Sequence, residues 1–319
     1  MSNAQFDVEA RCANWVGYLL RGRDDIIVAL DWTDYDADGQ STISLGLVED
    51  HGRATPLMWR TVKKSTLKGN RNRYEDALLT RFHEYIPEGI RVTVTADRGF
   101  ADQCLAQYLA TLSFDYIIRI RKDTTIYDKD NHGRIADRWL RGDGRLYCMK
   151  DITLTHNHTP IPVFISVKKK DMKAAWFLIS SRSDWTGTQI VKAYGKRFTI
   201  EEMFRDEKDP RFGMGLSESR ISQPKRRDRM LFIAALARDL ISLLGKAGES
   251  IGLDRKMKAN TSAKRTHSFF TQGKHYFLCL QNMDAKSRRK LMKAFNDILT
   301  SSRFHDYVNH PFSLDFMRG

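Results

Sequence analysis

No run in this 319-residue sequence is apolar for long enough to cross a membrane. The most apolar stretch, Leu231 to Leu244, is broken by Arg238 and Asp239 and falls far short of the roughly 20 residues a span requires, so it is expected to be a core helix. Cysteine is also scarce: Cys12, Cys104, Cys148 and Cys279 show neither C-x-x-C nor Cys/His zinc spacing, which argues against a structural metal and for a reducing compartment. Residues 1–10 carry Asp7 and Glu9 where a secretory leader has basic and then apolar residues, so a cytoplasmic, nucleoid-associated location is expected. Internal repeats, low-complexity tracts and long linkers are absent as well. The scarcity that matters most is of acid, with 39 Asp+Glu against 53 Lys+Arg, a formal charge of +14. An excess of that size calls for a polyanionic partner, nucleic acid first. Otherwise the chain is ordinary, 41% hydrophobic and 29% charged, and at this length it can bury roughly 75% of its unfolded surface.

The run Ile-Ile-Val-Ala-Leu after Asp25 reads as a buried strand ending at Asp31, with Thr42 to Val48 as its hairpin partner and Ala54 to Val62 as a third strand. Leu78, Leu79, Phe82 and Tyr85 recur at helical spacing, and Pro87 with Gly89 closes that helix. Val92 to Ala96 is a further strand running into Asp97-Arg98-Gly99-Phe100, followed by a helix over 101–112 and a strand over 116–120. The order β-β-β-α-β-α-β, with acids at the ends of the first and fourth strands, is the plan of an α/β ribonuclease H-like core with a mixed sheet. From Arg121 to Ser183 short alternating runs between Gly, Asn, Pro and Asp clusters predict a β-rich insertion. Helical spacing resumes at Gly187 and lasts until Asp209-Pro210, then returns from Arg226 to Gly245 and from Asp284 to Leu299, so the C-terminal region is expected to be helical and basic.

The most informative segment is Tyr194 to Lys208. At about 100° per residue, Tyr194, Arg197 and Lys208 all fall within about 40° of Glu201, so the four share one helical face while Ile200, Met203 and Phe204 form a packing face. A solvated charge stripe with Arg197–Glu201 support is the plain account of such a face. The spacing Y-x2-R-x3-E-x6-K, however, resembles the signature of the DDE transposases of bacterial insertion sequences, in the branch named for insertion sequence four. Asp31 in Val-Ala-Leu-Asp-Trp-Thr and Asp97 in Thr-Ala-Asp-Arg-Gly-Phe are similar to that family's first and second catalytic acids, and Lys208-Asp-Pro-Arg-Phe-Gly-Met-Gly-Leu-Ser resembles the stretch after its Glu. The match runs from about Ile26 to the end of the chain.

That resemblance implies a fold, an activity and a site. Asp31, Asp97 and Glu201 would be the catalytic, metal-holding acids for two Mg²⁺ ions, with Mn²⁺ substituting, because hard cations take oxygen ligands and a metal pair about 3.5–4 Å apart stabilises both attacking and leaving oxygens. Tyr194, Arg197, Lys208, Arg98 and Arg205 would contact DNA, chiefly phosphates, which position a duplex without reading it. Trp176, in Ala-Trp-Phe-Leu-Ile-Ser, is similar to a tryptophan that stacks on a flipped base; a buried strand tryptophan is the alternative. The implied function is cut-and-paste transposition: hydrolysis at transposon ends, then 3′-hydroxyl strand transfer into target DNA. The partners would be double-stranded DNA, as terminal inverted repeats and target, and a second copy in a DNA-dependent homodimer, with no membrane. Two rivals remain, a truncated non-catalytic DNA-binding remnant and a ribonuclease H-like nuclease without strand transfer. The first is motivated by the 30 residues that precede Asp31, fewer than in relatives.

The expected organisation is a remnant of an N-terminal region (1–25), core (26–120), β-rich insertion (121–183), core again (184–245) and a helical basic region (246–319). Asp34-Tyr-Asp36-Ala-Asp38-Gly39 fits half an EF-hand loop, but Leu45 stands where a bidentate Glu is needed, so a hairpin turn is the better account. His156-Asn-His158 reads as a surface loop. Basic runs at Lys168 to Lys170, Arg220 to Arg229, Arg255 to Lys258, Lys264-Arg265 and Arg288 to Lys290 are read together as a DNA track.

Overall fold

The computed structural model describes residues 7–49, 52–100, 103–262 and 264–301. Helix α1 (Val8–Leu20) begins at Asp7, whose carboxylate accepts the Glu9 amide as an N-cap. Strands β1 (Asp25–Tyr35), β2 (Gln40–Val48) and β3 (Ala54–Lys63) form a meander, α2 (Arg71–Tyr85) leads to β4 (Arg91–Ala96), and α3 (Gln103–Thr111) leads to β5 (Asp115–Arg119). Five more strands follow: β6 (Thr125–Tyr127), β7 (Gly133–Ile135), β8 (Tyr147–Leu154), β9 (Thr159–Val167) and β10 (Trp176–Ser180). The remaining described elements are α4 (Gly187–Gly195), α5 (Thr199–Lys208), α6 (Pro224–Ser250), α7 (Phe269–Cys279) and α8 (Ala285–Ser301).

Among the described residues, ten strands share one mixed sheet in the order β3-β2-β1-β4-β5-β10-β9-β8-β6-β7. Its first five strands, with β1 antiparallel to β2 and parallel to β4, are consistent with the expected ribonuclease H-like plan. Residues 121–183, set apart in the sequence as an insertion, supply β6 to β10 and extend this same sheet, because β10 pairs antiparallel with β5. Their apolar residues Ile126, Ile152, Leu154 and Phe164 join the cluster that contains Val28, Leu30, Val94 and Phe82.

Strand periodicity decides what faces what. Ile26, Val28 and Leu30 point to the face covered by α2 and α3, whereas Ala29 packs with Ile200, Met203 and Phe204 of α5 on the other. Gly46 on β2 lets α5 come down closely, since a Cβ there would sit 3.3 Å from Ile200 and 3.4 Å from Met203.

Two expectations are corrected, at Asp31 and at the helical stretch from Gly187, and two of the expected regions gain detail. Asp31 does not end its strand: β1 continues to Tyr35, held by antiparallel pairing with β2 up to Tyr35↔Gln40, and only the parallel pairing with β4 stops at Leu30↔Ala96. Residues 8–20, placed in a remnant region, fold as α1 and build the core, with Trp15 fully buried, its indole donating to the Pro56 carbonyl at 2.9 Å, and Tyr18 donating to Asp239 at 2.6 Å. The helical stretch from Gly187 tightens at Lys196–Phe198 into a 3-10 turn between α4 and α5. The boundary drawn after Gly245 falls inside α6, which runs on to Ser250 before Gly252 turns left-handed at φ 79°.

Gly245 is a crossing point, not a helix stop. A Cβ on it would lie 1.9 Å from the Phe269 carbonyl oxygen, and one on Gly273 would lie 1.7 Å from that of Ile241, so α6 and α7 touch backbone to backbone. Gly273→Val is therefore expected to cost about 3 kcal/mol or more, because neither helix can yield without losing its packing. Thermal unfolding checks this; a melting temperature within a degree or so of wild type would show that the helices do not meet there.

Candidate active site

The face of β1 that carries Ala29 carries Asp31 and Thr33 next, by the two-residue repeat, so Asp31 emerges beneath α5. Since Leu30 is the last β1 residue paired with β4, through Ala96, Asp31 and Asp97 leave the parallel ladder side by side. Packing of Ile200, Met203 and Phe204 against Ala29 and Ala54 fixes the rotation of α5 and turns Glu201 toward the same end of the sheet.

Between these acids stands Arg197. Its Nη1 donates to Asp31 Oδ2 at 3.1 Å and its Nη2 to Glu201 Oε1 at 2.8 Å, while the residue is only 4% exposed. Asp31 Oδ1 accepts the Trp32 amide at 2.8 Å. Burial lifts Asp31 to about 6 against the pull of Arg197 and that amide, and the negative charge of Asp97 adds to the rise. Asp97 itself anchors the 3-10 turn Arg98–Phe100, its Oδ1 accepting the Gly99 amide at 2.7 Å.

Gly99 was missed in the sequence, and its spacing from Asp97 was the available signal. A Cβ on Gly99 would meet Asp97 Oδ1 at 2.9 Å, so Gly99→Ala must push the carboxylate off its present position. Displacement of a reacting group by about 1 Å can cost on the order of 100-fold, so single-turnover cleavage by Gly99→Ala is expected to slow by about 10- to 100-fold with thermal stability unchanged. An unaltered rate would mean that the position of the Asp97 carboxylate is not critical.

The other expected residues are placed unequally. Lys208 reaches back along β1, its Nζ donating to the Asp34 carbonyl at 2.6 Å and to Thr33 Oγ1 at 3.1 Å. Tyr194 is fully buried, so its expected hydroxyl contact with phosphate gives way to packing: its ring meets Trp176 edge-on at 5.0 Å and lies 6.0 Å from the Arg197 guanidinium. Trp176 opens β10, half-buried, with Phe198 stacked on it at 5.9 Å. Phe198, 38% exposed, was also missed, although it directly follows Arg197. Arg98 is exposed beside Asp97, and Arg205 is exposed but paired with Glu202 at 3.0 Å.

The donor set suits a divalent cation. Two half-buried carboxylates leaving adjacent strands repel each other, and hard oxygen donors bound to a hard cation relieve that repulsion. Among the described residues the trio is nevertheless not one of the acid and His groups whose ligand atoms converge within 4.8 Å; the group that is, Asp128 with Asp130 and His132, lies in the β6–β7 hairpin at the far edge of the sheet. There Asp128 Oδ1 already accepts the amides of Asp130 and His132. The EF-hand-like segment is a hairpin turn as expected: Asp34 and Asp36 pair with Lys64, Asp38 pairs with Arg227, and Gly39 is left-handed at φ 60°. His156 and His158 sit in the β8–β9 turn.

Of the basic runs, Lys168 to Lys170 and Arg288 to Lys290 are exposed. Arg227 is not available to DNA: it is 0% exposed, donates to Gln40 at 2.8 Å and lies 3.8 Å over the Tyr35 ring. Among the described residues, no helix is long and apolar enough to cross a membrane. A family model described as the transposase DDE domain matches residues 23–240. No curated protein matches the chain.

Proposed function

The chain belongs to the family of transposase DDE domains, and from that premise we propose that it performs cut-and-paste transposition, hydrolysing transposon ends and transferring the freed 3′-hydroxyl into target DNA. The observation that supports this reading is that Asp31 and Asp97 follow the last paired residues of two adjacent parallel strands while Arg197 bonds Asp31 and Glu201 at once. Asp31, Asp97 and Glu201 would hold two Mg²⁺ ions, or Mn²⁺ in their place, which when bound supply Lewis-acid stabilisation of the attacking and leaving oxygens and acidify the nucleophilic water.

The protein's own side chains do the rest. Arg98 and Lys208 flank the acids and would hold phosphates of the transposon end; Arg205 would join them on leaving Glu202. Trp176 with Phe198 offers an aromatic surface beside Arg197 on which a base can stack, worth roughly 1–3 kcal/mol per base. Tyr194, beneath Arg197, keeps the guanidinium in place from the core side. Because two ends must be brought together, the working form is a DNA-dependent homodimer.

The test is incubation with Mg²⁺ or Mn²⁺ and linear DNA bearing the inverted repeats that flank the reading frame. Nicks at the repeat boundaries, and joined products from pre-cleaved ends, are expected. End cleavage without any joined product would reduce the protein to a nuclease.

A further inference from the structure

We infer that Arg197 is the resident cation of the carboxylate site, and that DNA must draw it away before the acids can hold divalent ions, so that this one side chain couples metal binding to DNA binding. The inference rests on the assignment of Asp31, Asp97 and Glu201 as the metal-holding acids.

Three observations carry it. The first is position: the guanidinium bonds Asp31 at 3.1 Å and Glu201 at 2.8 Å at once, so it neutralises the acids and fills the space between two that would have to share cations. The second is incomplete satisfaction. Arg197 is 4% exposed, yet its Nε is buried without a hydrogen-bond partner, so one of five donors is desolvated for no return. A guanidinium held in this way has a better partner in a phosphate, which accepts it in bidentate fashion and carries full charge.

The third is the backbone on which it sits. Arg197 lies in the 3-10 turn Lys196–Phe198 between α4 and α5, and a 3-10 stretch inside a helix is a common hinge. Motion there leaves the packed face of α5 undisturbed, since Ile200, Met203 and Phe204 stay seated on Ala29 and Ala54. The Glu201 end of the clasp is already open to water, with 53% of that side chain exposed.

The exchange conserves charge pairing. In the free protein Arg⁺ pairs with carboxylates; in the complex Arg⁺ pairs with phosphate and the carboxylates pair with metal. Each ligand removes the competitor of the other, and such coupling is reciprocal by thermodynamic necessity. Free of DNA, the protein would hold metal weakly and would not nick DNA it has not first engaged.

The experiment reads Mn²⁺ affinity, not activity. Mn²⁺ is titrated calorimetrically into the full chain, as wild type, Arg197→Gln, Arg197→Lys and Asp97→Asn, alone and with a 20-base-pair duplex, and the Asp97→Asn signal is subtracted as background. Wild type is expected to gain affinity for Mn²⁺ with the duplex by roughly 5- to 150-fold, the usual span of coupled sites. Arg197→Gln should show a similar gain without DNA and little further response to it; Arg197→Lys, keeping the charge but losing the fork, should fall between. Loss of a merely structural arginine would weaken Mn²⁺ binding instead. Arg197→Gln binding Mn²⁺ no tighter than wild type overturns the inference, and Arg197→Lys decides in the same way should Arg197→Gln fail to fold. Mn²⁺ binding by Asp97→Asn equal to that of wild type, both alone and with the duplex, would overturn the metal-site assignment itself, a distinct result.

Discussion

Asp97→Asn is expected to lose DNA cleavage by at least about 10³-fold while binding the same duplex within about threefold of wild type. The substitution keeps size and hydrogen-bonding shape but removes one negative charge from a group whose proposed work is to hold a dication, and electrostatic stabilisation is usually the largest single contribution to catalysis. Gly99 can still donate to the remaining side-chain oxygen, so the Arg98–Phe100 turn should persist and the fold with it. Asp31→Asn should be equally inactive for a second reason: the half-buried carboxylate is also the partner of Arg197, a residue only 4% exposed that would be left half-paired. Glu201→Gln should be the gentlest on stability, because that side chain is 53% exposed. Gel-resolved cleavage with Mg²⁺ and with Mn²⁺, beside anisotropy measurements of binding, separates chemistry from affinity. Retention of cleavage by Asp97→Asn would remove the acid from the site and the proposed mechanism with it.

How much of the site could be read from sequence depended on whether the signal was local. The strands that lead to Asp31 and Asp97 announce themselves through β-branched runs, and the packing face Ile200, Met203, Phe204 is visible in the 3.6-residue repeat, but the grouping of the three acids came from the family resemblance and not from the residues alone. What escaped depends on tertiary partners. A helical wheel places Tyr194, Arg197, Glu201 and Lys208 on one face but is silent on what covers it; β10 covers its first turn, burying Tyr194 under Trp176. The same wheel assumes a uniform 100° step, which the 3-10 turn at Lys196–Phe198 breaks. Arg227 looked like one more cation in Pro-Lys-Arg-Arg-Asp-Arg, and only the hairpin turn from Asp36 to Gln40, distant in sequence, explains why it is buried with Asp38 and Gln40. The helical spacing read over 226–245 and 284–299 leaves out α7, whose Gly273 lies where α6 and α7 touch backbone to backbone.

DNA affinity should fall by roughly 10³- to 10⁵-fold between 50 and 200 mM salt, the loss expected when about 6–10 phosphates are neutralised and their counterions released. The structure narrows which cations can do this. Arg227 is fully buried, Lys258 is paired with Asp254 at 2.8 Å, and Arg265 with Glu249 at 2.7 Å, so these are spent within the protein. Lys168, Lys169 and Lys170 in the β9–β10 loop, and Arg288, Arg289 and Lys290 on α8, are exposed and available. Replacing Arg288, Arg289 and Lys290 together with Ala should flatten the plot of log affinity against log salt by about 2.7 if all three meet phosphates, at about 0.9 per contact. Arg227→Ala should behave oppositely, leaving the slope intact while costing about 3–5 kcal/mol of stability, because it strands Asp38 against a buried wall. Anisotropy titrations of a labelled duplex at three salt concentrations measure both. A wild-type loss of less than about tenfold would mean that no more than about two phosphates are held, and the +14 charge would then serve something other than a DNA track.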